Sequence, residues 1–122
     1  MADENEIGTM QTLGQTVFAS HGYTQYEVSA FARAGQQCRH NLNYWQFGDY
    51  IGIGAGAHGK ITDAASGSVF RRWKKRHPRA YLEASGPTAY LEGARALSES
   101  EIVFEYALNR LRLKEPFRVD DF

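Results

Sequence analysis

The sequence predicts an α+β fold, in which a small, mainly antiparallel sheet is flanked by helices. Two observations favour this class. Apolar residues recur at helical spacing near both ends of the chain, whereas short segments bounded by glycine and polar turn residues occupy its middle. The chain has 122 residues, of which 43% are hydrophobic and 23% charged. These values are ordinary for one globular domain with a core of its own.

The first half of the chain predicts four elements in order. Apolar spacing predicts a helix over 9–21 that ends at Gly22, although "MADENEIGTM" carries no clear start signal. Alternation predicts a strand over 23–30. "HNLNYW" (40–45) is compatible with one helical turn, and "DYIGIG" (49–54) with a short strand.

The second half predicts a hairpin of 57–62 with 68–73 around "DAASG", and a helix over 78–84 that is opened by a proline. Ser98 and Glu101 form a capping box for the last helix. The apolar stripe of that helix consists of Ile102, Val103, Tyr106, Ala107, Arg110, Leu111 and Leu113.

The bulk composition excludes several classes of function. The 14 basic and 14 acidic residues cancel, so no overall field attracts nucleic acid or an anionic membrane. The single cysteine, Cys38, excludes an internal disulfide and a cysteine-only metal site, and it fits a reducing cytoplasm. No apolar run reaches the length that spans a bilayer, and the acidic N-terminus does not resemble a signal peptide. We therefore expect a cytoplasmic domain.

The glycines at 52–59 imitate nucleotide-binding motifs. Gly54, Gly56 and Gly59 spell G-x-G-x-x-G, and Gly59 with Lys60 almost completes a phosphate loop. Both motifs need a following helix, and the phosphate loop also needs Ser or Thr where Ile61 stands. The pattern therefore favours a tight backbone turn over a nucleotide site.

The segment "RRWKKRHPR" (71–79) gathers six basic residues around Trp73. Such interleaving can bind single-stranded nucleic acid through phosphate contacts and base stacking. A solvated strand end that leads into a helix has the same composition. Because the net charge is zero, we favour the second interpretation and expect no nucleic-acid partner.

His40, Asn41, Tyr44 and Trp45 combine one Lewis base with large aromatic rings. Neutral imidazole is a common haem ligand, and aromatic faces suit a porphyrin plane. Gly52, Gly54 and Gly56 would let backbone approach such a ligand closely. The alternative is a core histidine bonded to backbone, with the aromatics filling a seam between sheet and helix.

Three segments together carry a resemblance to a known family: "YEVSAFA" (26–32), H-N-x-x-Y-W (40–45) and "DYIGIGAGAHG" (49–59). The chain resembles the oxygen-independent coproporphyrinogen III oxidase-like radical S-adenosylmethionine family, and most of all its haem chaperone branch. "RHPRAYL" and "FEYALNRLRL" continue the likeness to about residue 113. The resemblance implies a piece of a larger partial TIM-barrel protein. Residues 1–30 would end the barrel, and residues 31–122 would form part of a C-terminal domain.

The resemblance also implies cofactors and partners. In the longer protein a 4Fe-4S cluster and S-adenosylmethionine would lie in the barrel, but the family's C-x-x-x-C-x-x-C motif has no match in this sequence. The cluster therefore cannot assemble on this chain, which by itself is not expected to be an enzyme. The strand at 23–30 would lack its barrel partner, so we expect an exposed edge and a dimer.

The resemblance assigns haem binding to His40, with Asn41, Tyr44 and Trp45 as its setting. Delivery to client haemoproteins is the function it implies. His58 is a possible second ligand, although a structural role in the glycine turn is equally compatible with its position. One alternative is an oxidase that decarboxylates coproporphyrinogen, with this region covering the active site. Another is a lid or interaction domain that binds no ligand.

Overall fold

A computed structural model describes residues 3–118, and within them the chain forms four helices and five strands. In chain order these are α1 (Glu4–Ser20), β1 (Thr24–Glu27), β2 (Ala30–Ala32), α2 (Arg39–Trp45), β3 (His58–Thr62), β4 (Val69–Lys74), α3 (Pro78–Leu82), β5 (Leu91–Ala96) and α4 (Glu99–Arg110). The predicted α+β class is confirmed.

The strands form two separate antiparallel sheets. β1 pairs with β2, and β3, β4 and β5 form a three-stranded sheet in that order. The hairpin of β3 and β4 confirms the predicted pairing around "DAASG". In this hairpin His58 lies opposite Trp73, and Lys60 lies opposite Arg71.

Helix α1 begins five residues earlier than predicted, and the judgement that "MADENEIGTM" lacks a start signal is wrong. Asp3 is the N-cap: its side chain accepts from the Glu6 N–H, while the Glu6 carboxylate accepts from the Asp3 N–H. This capping box uses Asp where Ser or Thr is more familiar. The helix ends at Ser20 with His21 as its C-cap, and Gly22 follows with φ +78°.

The predicted single strand over 23–30 is in fact a tight hairpin. The Glu27 carboxylate accepts hydrogen bonds from the N–H and the hydroxyl of Ser29, which reverses the chain after four residues. The outer edge of β1 is also partly covered, because Val28 N–H donates to the Arg112 carbonyl and Lys114 N–H donates to the Tyr26 carbonyl. The exposed edge expected for this strand is therefore covered in part by the segment after α4.

The predicted strand at "DYIGIG" is reduced to one bridge, in which Tyr50 and Lys60 exchange both backbone hydrogen bonds. Beyond it the glycines turn the chain away from the sheet, and Ile51 and Ile53 are exposed. Strand β5 has no counterpart in the sequence prediction. Gly93 interrupts the alternation of apolar and polar residues in β5. Glycine is required there because the indole of Trp73 occupies the space that a side chain would fill.

Few side chains are fully buried in residues 3–118. The buried apolar residues are Ala32, Val69, Leu97 and Leu113, and the buried charged residues are Glu27 and Lys60. The predicted stripe of α4 is only partly correct, because Val103 and Leu111 are exposed and the helix ends before Leu113. None of the helices described is long and apolar enough to cross a bilayer.

The predicted capping box of α4 is confirmed, and it gives the fold a defined pH dependence. The side chain of Arg95, followed by the backbone and hydroxyl of Ser98, lowers the pKa of Glu101 to about 2. A lowered pKa in the folded state means that the unfolded chain holds this proton more tightly. The stabilisation is therefore complete above the ordinary value of 4.5 and is lost as the pH falls towards 2.

We expect Glu101→Gln to lower the free energy of unfolding at pH 7. The difference in this free energy between the variant and the parent chain should disappear between pH 4.5 and 2. Urea unfolding at a series of pH values measures the difference. Glu115→Gln is the matched control, since Glu115 is exposed and has no ion pair among residues 3–118. A gap that stays constant down to pH 2 would contradict the assignment.

Candidate functional site

The short helix α2 presents two faces, and the four predicted ligand-site residues are divided between them. His40 and Tyr44 are four residues apart and share one face, with ring centroids 4.8 Å apart in an edge-to-face contact. Asn41 and Trp45 share the adjacent face by the same spacing. The structure therefore brings His40 and Tyr44 together and leaves Trp45 in different surroundings.

The imidazole of His40 is exposed. Within residues 3–118 its ring contact is with Tyr44, and neither ring nitrogen has a hydrogen-bond partner. The alternative of a core histidine bonded to backbone is thus wrong for His40. A side chain with free nitrogens on the surface of a short helix is available to a ligand from outside the chain.

His40 is the first of five side chains that contact one another in sequence from α2 to the sheet. We call this series the His40 ladder, and its members are His40, Tyr44, Tyr50, Arg71 and Glu105. Tyr44 and Tyr50 lie with ring centroids 4.3 Å apart. The Arg71 guanidinium donates to the Tyr50 hydroxyl and to the Glu105 carboxylate. The ladder therefore connects α2 to β4 and to α4.

Trp45 anchors α2 on its other side. The guanidinium of Arg112 lies 4.3 Å from the ring centroid of Trp45 and also donates to the buried carboxylate of Glu27 at 3.3 Å. The indole N–H is buried and has no hydrogen-bond partner among the described residues. Trp45 therefore joins α2 to the β1–β2 hairpin and to the segment after α4.

The turn after α2 is held by a buried lysine. Phe47 adopts φ +61°, an unusual conformation for a residue with a side chain. The Lys60 ammonium donates to the Phe47 carbonyl, lies 3.4 Å from the Phe47 ring centroid and pairs with Asp49 at 3.8 Å. Burial lowers the pKa of Lys60, against the opposing effect of Asp49. Lys60 thus fixes where α2 ends relative to β3.

The glycine segment lies directly against β3. A Cβ on Gly52 would overlap the backbone carbonyl of His58, so only glycine fits there. Gly54 and Gly56 have φ +108° and +71°, and Gly56 N–H donates to the Lys75 carbonyl. The tight-turn interpretation is confirmed, since the segment is a turn packed on the sheet edge and no helix follows it.

The exposed side chain of His58 opens into a cleft of about 880 Å³, which we call the sheet cleft. Its lining consists of Tyr50, Gly56, His58, Arg71, Trp73, Lys74, Arg76, Glu92, Arg95 and Glu105. His40 is not part of this lining, and the two histidines are linked through Tyr50, Arg71 and Glu105, which belong to both the ladder and the cleft.

Sequence reasoning missed Arg71 and Glu105 of the ladder. The predicted hairpin contained the signal for Arg71, because its register places Arg71 opposite Lys60, two residue pairs from the pair of His58 and Trp73. Glu105 carried no signal, because nothing local indicates that α4 lies over β4. Within residues 3–118 no group of three or more His, Cys, Asp or Glu side chains is placed to hold a metal ion.

The described residues thus form an α+β unit whose short helix α2 presents an exposed histidine beside aromatic rings. The chain is 44% identical over 115 residues to "Heme chaperone HemW" of Escherichia coli, a match that covers 94% of this chain and 29% of that protein. It is 40% identical over 122 residues to the protein of the same name from Haemophilus influenzae, covering all of this chain and 30% of that protein. The chain thus spans less than a third of the length of these curated relatives.

A mouse protein named "Radical S-adenosyl methionine domain-containing protein 1, mitochondrial" is 46% identical over 69 residues, 57% of this chain and 16% of that protein. Over nearly its whole length the chain is therefore homologous to haem chaperones of the coproporphyrinogen III oxidase-like radical S-adenosylmethionine family, as the sequence predicts. The names of these relatives favour the haem chaperone interpretation over the oxidase alternative. No protein-family model and no solved structure matches the chain.

Proposed function

We propose that this chain binds haem through His40 and acts as part of a haem chaperone that delivers haem to client haemoproteins. The observation that supports the ligand assignment is the state of the His40 side chain. It is exposed, it rests edge-on against the Tyr44 ring, and both imidazole nitrogens are without a partner in residues 3–118. An imidazole that is held by packing but not by hydrogen bonds can coordinate iron without breaking a protein contact.

The other predicted site residues receive distinct roles in this proposal. Tyr44 would form the aromatic wall beside the bound macrocycle, and Asn41, half-buried one residue after His40, would border it. Trp45 would hold α2 in place through its contact with Arg112. His58 would act as a second ligand only for haem that enters the sheet cleft. Gly52, Gly54 and Gly56 would fix the turn that carries Tyr50 close to β3.

The longer protein would supply what this chain lacks. We propose that residues 1–30 complete a barrel and that residues 31–122 belong to a C-terminal domain. The apolar side chains of Ile7, Met10, Leu13 and Val17 along α1 lie on the surface of this chain, where a barrel would cover them. The 4Fe-4S cluster and S-adenosylmethionine would belong to that barrel, because Cys38 is the sole cysteine here.

Two further parts of the proposal concern the setting of the chain. A cytoplasmic location suits a protein whose one cysteine, Cys38, is free and exposed. A dimer stays a prediction, with β2 as its most suitable edge, because among the described residues β2 pairs only with β1.

A haem titration of the 122-residue chain, followed in the visible spectrum, tests the proposed function. We expect saturable binding and a Soret band typical of histidine ligation. Serum albumin and free imidazole in parallel titrations provide the reference spectra. A weak, unsaturable change without a defined band would contradict haem binding by this chain.

A further inference from the structure

The sheet cleft has a flat aromatic floor. Trp73 lies in the middle of a row across the sheet, opposite His58 on β3 and opposite Gly93 on β5. A Cβ on Gly93 would overlap the six-membered ring of the indole, so the indole of Trp73 lies across the backbone of β5. Glycine at this position therefore makes room for a ring laid flat along the sheet, and the half-buried ring lines the cleft.

An irregularity in the pairing of β4 with β5 lies next to this floor. Trp73 pairs with Gly93 and Lys74 pairs with Leu91, which leaves Glu92 of β5 as the extra residue of a bulge. Trp73, Lys74 and Glu92 all line the cleft. The Lys74 ammonium lies 3.8 Å from the ring centroid of Tyr90, which keeps it over an aromatic face.

The charges around the cleft are unequal. Its lining contains four cationic side chains and two carboxylates. Arg71 is neutralised by Glu105, and Arg95 by Glu101, so these pairs tie the sheet to α4. Lys74, Arg76 and the carboxylate of Glu92 are in no ion pair within residues 3–118, and Arg76 is exposed without a hydrogen-bond partner there. The unpaired groups of the lining are thus two cations and one carboxylate, so Lys74 and Arg76 together can bind anionic groups of a ligand.

We propose that the sheet cleft binds a planar aromatic ligand that carries carboxylates, stacked on Trp73 with its carboxylates at Lys74 and Arg76. The cleft volume of about 880 Å³ lies within the range of small-molecule sites. A porphyrin has this chemistry, a flat ring with two propionates, and naming it as the ligand rests on the proposed function. The chemistry itself rests on the cleft and does not require iron or His40.

Metal-free protoporphyrin IX separates this inference from ligation by His40. Its binding to the chain is measured by the fluorescence anisotropy of the porphyrin, with the dimethyl ester of protoporphyrin IX in the same detergent-containing buffer. We expect the free acid to bind and the ester, which has no carboxylates, to bind about tenfold more weakly. The double variant Lys74→Gln, Arg76→Gln should bind the free acid about as weakly as the parent chain binds the ester.

Arg72→Gln is the matched control. Arg72 is an exposed arginine of β4 that does not line the cleft, although its neighbours in sequence, Arg71 and Trp73, do. It should bind the free acid like the parent chain. Equal affinities for acid and ester, or an equal loss in the control, would overturn the inference while leaving haem binding intact. A different result separates the two proposals. If bound haem shows no histidine-type Soret band but the affinity for the free acid depends on Lys74 and Arg76, the cleft proposal is supported and ligation by His40 is refuted. Circular dichroism first establishes that Trp73→Phe keeps the fold of the parent chain. This variant should then bind both the free acid and the ester more weakly, because it removes part of the aromatic floor.

Discussion

Replacing His40 with alanine is expected to abolish the histidine-type Soret band and to lower the affinity of the chain for haem by at least about tenfold. The physical reason is the loss of the one imidazole whose two nitrogens are free beside the Tyr44 ring. The measurement is the haem titration of the variant, compared with the parent chain in the visible spectrum. Alanine is the best helix former and His40 is exposed near the start of α2, so the fold should persist.

His21→Ala is the control for this variant. His21 is also exposed, but its Nδ1 lies 2.8 Å from the Val17 carbonyl at the end of α1, far along the chain from α2. This variant should bind haem as the parent chain does. His58→Ala is a second comparison, because it removes the histidine of the sheet cleft and leaves α2 unchanged. An unchanged Soret band in His40→Ala, or equal losses in His40→Ala and His21→Ala, would refute axial ligation by His40.

Gly52→Ala is expected to lower the free energy of unfolding by about 3 kcal/mol, because a new methyl group would overlap the backbone of His58. Backbone atoms of a paired strand cannot move aside as the end of a flexible side chain can. The strain should displace Tyr50, two residues earlier, which pairs with Lys60 and contacts the Tyr44 ring. Urea unfolding followed by circular dichroism measures the stability of this variant.

Gly8→Ala gives the opposite expectation with the same chemical change. Gly8 lies inside α1, and a Cβ there meets no atom within 4 Å. Alanine should therefore stabilise the chain by about 1 kcal/mol through its better helix propensity. If the two variants change the free energy of unfolding by similar amounts in the same direction, Gly52 is not held against β3 as described.

The two glycine variants illustrate how unevenly the sequence predicts this molecule. Local signals were sufficient where the stabilising interaction is itself local: the capping box of Ser98 and Glu101, the proline that opens α3, and the hairpin of β3 and β4. They failed where an interaction joins distant parts of the chain. Strand β5 escaped prediction because its Gly93 is explained only by the indole of Trp73, twenty positions earlier.

The same division holds for the candidate site. The motif H-N-x-x-Y-W identified the family and singled out His40 and Tyr44, whose spacing of four places them on one helical face. It did not reveal that Trp45, the next residue, would contact Arg112 and serve as an anchor. The basic run around Trp73 indicated only a charged surface, since its partners lie on other strands and on α4.

By itself, then, the sequence determined the fold class, the family resemblance and the histidine proposed as haem ligand. Each of these depends on patterns among neighbouring residues, such as apolar spacing, helix caps and the motif H-N-x-x-Y-W. The tertiary structure alone decided that Arg71 joins Tyr50 to Glu105, and that Lys74 and Arg76 are left without ion-pair partners in residues 3–118. The reason is that ion pairing and the stacking of rings depend on which strands and helices lie side by side. Sheet register and the position of α4 set those distances, and no local run of residues encodes either.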